Sequence, residues 1–130
     1  MVKLSLDITP LAPKGQQTIQ SYGDGGFRIS NAEHNGSVIV FLDKCVLWEC
    51  KSVDEIDENS FQSVREAKIK PEIIVIGCGE TFTRPPQQLI DYFKSHSIVM
   101  EWMATGAACR TYNVLALEGR GVAAALVAID

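Results

Sequence analysis

Short apolar–polar alternations broken by glycine occupy the first half of the chain. Gln17 to Tyr22 alternates loosely, Gly23-Asp24-Gly25-Gly26 reads as a turn, and Phe27 to Ile29 returns. Asn35-Gly36 supplies a second turn before a strand over Ser37 to Leu42, and Asp43-Lys44 turns again into Val46 to Trp48. Connections this brief join antiparallel neighbours, because parallel strands need a crossover of about a dozen residues or more. Hairpins are therefore predicted for this half.

The second half changes period. Asp57 followed by Phe61 reads as a helix start, with Asp57 as N-cap and Ile56 and Phe61 as a hydrophobic staple. A start at Ser52 with Glu55 competes, and either helix ends near Lys68, ahead of Pro71. Glu72-Ile-Ile-Val-Ile-Gly77 is a β-branched run of the kind covered on both faces. Pro85-Pro86 opens a helix through Ser95 whose buried stripe is Leu89, Ile90 and Phe93. Ile98 to Trp102 is a short strand. Thr105 caps a helix from Gly106 to Glu118, and Gly119 stands where a left-handed residue ends it. The last strand, Val122 to Ile129, is apolar throughout, with four alanines that let flanking helices approach. The unit 72–102 predicts parallel strands joined by a right-handed crossover. The route of the Ala104-Thr105 loop leaves the direction of the last strand open. The expected fold is a three-layer α/β domain over residues 1–130. Its mixed β-sheet has antiparallel hairpins in the N-terminal half and β-α-β-α-β in the C-terminal half.

A chain of 130 residues buries roughly two thirds of its unfolded surface without metal or disulfide. Apolar residues at 46% and charged residues at 22% argue against disorder. The longest apolar stretch is too short for a transmembrane segment. A net charge of −4 with scattered Lys and Arg argues against nucleic acid as a partner. Cys45, Cys50, Cys78 and Cys109 form no C-x-x-C pair, and only His34 and His96 are available to join them. No metal site is expected, and free thiols of a reducing compartment are. The N-terminal residues carry Asp7 and no basic leader, so neither a signal nor a transit peptide is expected and the location is cytoplasmic.

Candidate chemistry gathers at two places. Gly77-Cys78-Gly79 follows a parallel strand and precedes a helix, where α/β sheets hold ligands and backbone approaches an anion. The third glycine of a dinucleotide fingerprint is missing and the prolines remove amide donors, which favours a structural turn. Cys78 lacks a neighbouring base, His96 being at the far end of the next helix. The segment 101–113 is the densest polar constellation. Glu101 at a strand end, Thr105 at a helix start, Arg110, Tyr112 and Asn113 together suggest a small anionic ligand. The structural alternative is an internal ion pair between Glu101 and Arg110, with Tyr112 and Asn113 satisfying backbone groups. Arg120 after the helix closes carbonyls or makes a protein contact. No catalytic triad or carboxylate pair can be assembled, and no cofactor is implied.

Particular residues also carry a resemblance. They are Ile76-Gly-Cys-Gly79, Pro85-Pro86, Leu89, Ile98, Glu101-x-Met103-x-Thr105-x-x-Ala108, Arg110-Thr-Tyr-Asn-Val-Leu115 and Glu118-Gly-Arg120-x-Val-Ala-Ala-Ala-Leu126. Together they resemble the domain of unknown function 498 family, which takes in mitochondrial complex I assembly factor 3 and small bacterial and archaeal proteins. The layout matches over 17–129 and the specific motif over 72–126. The resemblance implies a three-layer fold around a mixed sheet and a bacterial source. It also implies a non-catalytic binding or assembly role whose partners are respiratory-complex subunits or assembly factors. Two features depart from the family. Cys78 stands where threonine or a similar small residue is usual, and only Arg84 represents the basic residues before the prolines. The alternative function is an anionic-ligand binder or enzyme using the 77–80 loop with Glu101 and Arg110. An uncovered edge strand in the hairpin half would also permit a homodimer.

Overall fold

The computed structural model describes residues 6–7 and 15–130. Among the described residues two sheets are present. An antiparallel sheet has the order β1 (Leu6–Asp7), β2 (Ile19–Gly23), β3 (Gly26–Ile29), β4 (Ala32–Asn35). The second is mixed and five-stranded. Its members are β5 (Val38–Val40), β6 (Cys45–Leu47), β7 (Ile73–Gly77), β8 (Val99–Met103) and β9 (Val122–Leu126), in the spatial order β6-β5-β9-β7-β8. The helices are α1 (Gln62–Arg65), α2 (Gln87–Ser95) and α3 (Thr105–Leu117).

The β2–β3 hairpin turns on Asp24 and Gly25, both at positive φ (57° and 78°), the backbone of a type I′ turn that matches strand twist. A second such turn, at Ser30 (φ 48°) and Asn31 (φ 70°), leads into β4. The sequence reading missed β4 because it is largely exposed and carries no apolar alternation, and because its turn contains no glycine. Asn35-Gly36 was expected to close a hairpin. Instead it carries the chain from the small sheet to the large one, since β4 and β5 belong to different sheets. The Asp43-Lys44 turn does join paired strands, Val40 lying opposite Cys45.

The helix expected over 57–68 is reduced to a 3₁₀ turn at Glu58–Phe61 followed by four-residue α1. Asp57 caps it as expected, its carboxylate accepting from the Asn59 N–H at 2.9 Å while Ser60 Oγ accepts from the Asp57 N–H at 3.0 Å. Two carbonyls of the first turn are drawn off to side chains. The Trp48 indole donates to Ser60 O at 2.8 Å and the Arg65 guanidinium to Glu58 O at 2.9 Å. At α2 the prolines precede the helix rather than fill its first turn, Pro86 being the N-cap.

β7 pairs in parallel with both neighbours: Ile73 faces Val99 on one side and Val122 on the other. β9 is antiparallel to β5, with Val38 opposite Leu126. This settles the direction of the last strand, which ends at Leu126 rather than Ile129. Its residues alternate between two cores. Val122, Ala124 and Leu126 meet α3 and the small sheet, while Ala123, Ala125 and Val127 meet α2 and the segment around Phe61. Ala123, Ala124 and Ala125 have no exposure at all, so larger side chains there would push the layers apart. α3 lies between the two sheets, burying Ala108, Cys109, Tyr112 and Ala116 among Ile19, Phe27, Val75 and Leu126. Helices thus cover both faces of the mixed sheet. α3 ends in a Schellman turn: Gly119 at φ 79° donates to Ala116 O and Arg120 to Leu115 O.

Candidate functional site

The carboxyl ends of β7 and β9 meet the start of α3, and Thr105 is the stitch. It is the first residue of the helix, with Ala104 as N-cap, so it does not cap α3 as the sequence suggested. Its hydroxyl turns instead to the strand ends. Oγ1 donates to Val127 O at 2.7 Å and accepts from the Gly79 N–H at 3.0 Å. The Thr105 N–H donates to Gly79 O, the Cys78 N–H to Met103 O and the Val127 N–H to Gly77 O, each at 2.8–2.9 Å. A Cβ on Gly77 would lie 2.8 Å from Thr105 Cα, so glycine there permits the close approach of helix and strand. The structure therefore brings Gly77, Cys78, Gly79 and Thr105 together. The amides of Cys78, Gly79 and Thr105 point at protein acceptors.

Outside this junction lies a shallow depression of about 410 Å³ lined by Lys51, Ser52, Gly79, Glu80, Thr81 and the chain end. Cys78 is buried beneath it, its thiol 3.5 Å from Thr81 O. Arg110, Tyr112, Asn113 and Glu101 are directed elsewhere. Tyr112 has no exposure, and its hydroxyl donates to Gln17 O at 3.0 Å and lies 3.3 Å from Phe41 O. Asn113 clasps the backbone of Ile19. Its Oδ1 accepts from the N–H at 3.0 Å and its Nδ2 donates to the carbonyl at 2.9 Å. Both side chains hold the small sheet to the rest of the molecule.

Arg110 is exposed on the flank of α3 toward β2 and donates to the Tyr22 hydroxyl at 3.1 Å. That hydroxyl lies 2.6 Å from where a Cβ on Gly106 would be, so a side chain there would displace it. Glu101 is exposed on β8, opposite Val75. No ion pair forms between Glu101 and Arg110, which corrects the internal pair the sequence suggested: one lies on the sheet edge and the other reaches toward β2. Arg120 is exposed just beyond the Schellman turn.

Thiol chemistry is disfavoured at three cysteines. Burial pushes the Cys45 thiol up to about 11 and raises Cys50 and Cys109 as well, so each is held in the unreactive protonated form. Burial also raises the Tyr112 phenol, with Cys45 and Asp43 contributing.

The feature the sequence reading did not single out lies at the far edge of the large sheet. A largely apolar groove of about 590 Å³ runs between α2 and β8, lined by Pro85, Ile90, Ile98, Val99, Met100 and Trp102 together with Lys94 and Ser97. The Trp102 indole is pinned by a bond to Thr83 O at 2.6 Å, and Phe82, the residue before Thr83, is 63% exposed. Met100 and Trp102 share a face of one strand, a spacing visible in the sequence. That β8 is an edge depends on the strand order, which the sequence left open.

Among the described residues, no helix is long and apolar enough to cross a membrane. The sequence pattern of the family described as Protein of unknown function (DUF498/DUF598) matches residues 19–127. NADH dehydrogenase [ubiquinone] 1 alpha subcomplex assembly factor 3 of Homo sapiens is 32% identical over 109 residues, 84% of this chain and 59% of that protein. The chain thus spans less than two thirds of that relative. The 13 kDa major membrane protein of Francisella tularensis is 29% identical over 114 residues, 83% of this chain and 88% of that protein. Among solved structures, the crystal structure of an outer membrane protein from Bartonella henselae superposes with a TM-score of 0.80. Its sequence is 34% identical, covering 89% of this chain and 98% of that one. The match over most of the chain, together with the fold shared with the Bartonella henselae protein, makes this protein a member of the DUF498/DUF598 family.

Proposed function

We propose that this protein acts without catalysis, as a binding or assembly factor that engages other proteins, and that its partners belong to respiratory complex I biogenesis. The observation that carries the reading is the direction of the polar groups. Thr105, Tyr112 and Asn113, three of the side chains best suited to hold a small ligand, make their hydrogen bonds to the protein's own backbone. An apolar groove, by contrast, lies open on the surface, and exposed apolar area on a folded protein marks partner surfaces. The naming of the human relative as an assembly factor supports the same reading.

The test is a tagged pull-down from the native organism, comparing wild type with Arg110→Ala and Arg120→Ala after each variant is checked for folding. Respiratory-complex subunits or their assembly factors recovered by mass spectrometry are the expected result, retained by both arginine variants because neither side chain lines the groove. Recovery of the protein alone, with a metabolite retained in native mass spectrometry, would overturn it.

A further inference from the structure

The mixed sheet ends on β8, with no described strand beyond it. Val99 donates its N–H to Glu72 O at 2.9 Å, and Met103 O accepts from the Cys78 N–H at 2.8 Å, so Val99, Glu101 and Met103 bond toward β7. In a parallel ladder alternate residues bond to opposite sides, which leaves the N–H and C=O of Met100 and Trp102 pointing out of the sheet. Sheets usually blunt such an edge with proline, a bulge or charge. Here the only charge is Glu101, on the α3 face, and the strand contains no proline. Beside the open backbone runs the groove of Pro85, Ile90, Ile98, Met100 and Trp102 with Lys94 and Ser97, and Val99, which also lines it, is 56% exposed.

We propose that the β8 edge accepts an extended segment of a partner protein as a sixth strand. Its alternate apolar side chains enter the groove, and a Lys or Arg on its other face meets Glu101. Backbone bonds to Met100 and Trp102 supply attachment, and the alternation supplies selectivity. The partner is a different chain rather than a second copy for an electrostatic reason. An antiparallel copy that matches all outward groups sets Met100 against Trp102 of the partner strand, which places the two Glu101 carboxylates directly opposite each other. Like charges at that position are destabilising. A shift of register would call on Ile98, whose N–H is already bonded to Phe93 O at 3.0 Å, or on Ala104, whose carbonyl already accepts from the Ala108 N–H at 3.0 Å.

This inference rests on the binding role proposed above and locates its surface. The probe is a blocked hexapeptide alternating lysine and valine, titrated into the whole isotope-labelled chain by NMR. Shifts confined to residues 97–103 and the groove, with slowed exchange of the Met100 and Trp102 amides, are expected. A version of the peptide N-methylated at its lysines or at its valines presents one free edge in either case, so the doubly N-methylated peptide is the one expected to lose all effect. Met100→Pro removes an outward N–H, a place where an edge strand tolerates proline, and Glu101→Lys reverses the facing charge. Each variant should weaken binding at least tenfold. Shifts elsewhere, undiminished binding of the doubly N-methylated peptide, or no binding at millimolar peptide would overturn the proposal. So would concentration-dependent self-association abolished by Met100→Pro. A native partner captured equally by wild type and Met100→Pro would leave the binding role standing and remove β8 as its site.

Discussion

Asn113→Ala tests how the two sheets are held together. Asn113 is 6% exposed and fills both backbone valences of Ile19, at 3.0 and 2.9 Å, much as a paired strand would. Alanine leaves a donor and an acceptor without partners between α3 and β2. An orphaned buried polar group costs about 1–3 kcal/mol, so the pair costs roughly 2–6 kcal/mol. For 130 residues, each kcal/mol corresponds to about 4 °C in Tm, and the expected fall is roughly 8–24 °C. Equilibrium urea denaturation gives the free energy, and amide exchange gives the location: the Ile19 N–H should lose its protection selectively. Val114→Ala, on the exposed side of the same helix, should stay within about 0.5 kcal/mol of wild type. A stability for Asn113→Ala equal to that of Val114→Ala, with Ile19 exchange unchanged, would refute the clasp.

Three further outcomes are expected. Thr105→Val keeps the shape but deprives the Gly79 N–H and Val127 carbonyl of their partner. It should lower stability by about 2–4 kcal/mol, and Thr105→Ser should restore most of it, both read by urea denaturation. Gly77→Ala sets a methyl 2.8 Å from Thr105 Cα and 3.2 Å from Ala108 Cβ. α3 must shift, at about 1–3 kcal/mol, visible as a lowered denaturation midpoint. Alkaline pH should destabilise the fold, because burial raises the thiols of Cys45, Cys50 and Cys109 and the Tyr112 phenol. Groups with raised folded values bind protons that the unfolded chain releases first. Their stabilisation is complete below the ordinary thiol range and is lost as pH climbs through about 11, the Cys45 value. Urea midpoints at pH 8 and pH 10.5 that coincide would contradict this.

Local signals were legible in the sequence wherever one residue determines its own backbone. Asp24-Gly25 fits a turn needing two positive φ values, Gly119 fits a left-handed helix stop, and the β-branched run of β7 is buried on both faces. The β4 strand was not legible, because its exposed residues carry no alternation and its turn uses Ser30-Asn31 in place of glycine. The same limit applies to side chains. Thr105 before an apolar helix reads as a cap, yet its hydroxyl bridges two strand ends distant in sequence. Glu101 and Arg110 read as a pair nine positions apart, yet one is exposed on an edge strand and the other meets Tyr22. Composition and period determine which segments become strands and helices, because burial of apolar faces is a local pattern. Strand order, the direction of β9 and the open edge at β8 are decided by contacts between segments far apart in the chain, and the surface available to a partner follows from them.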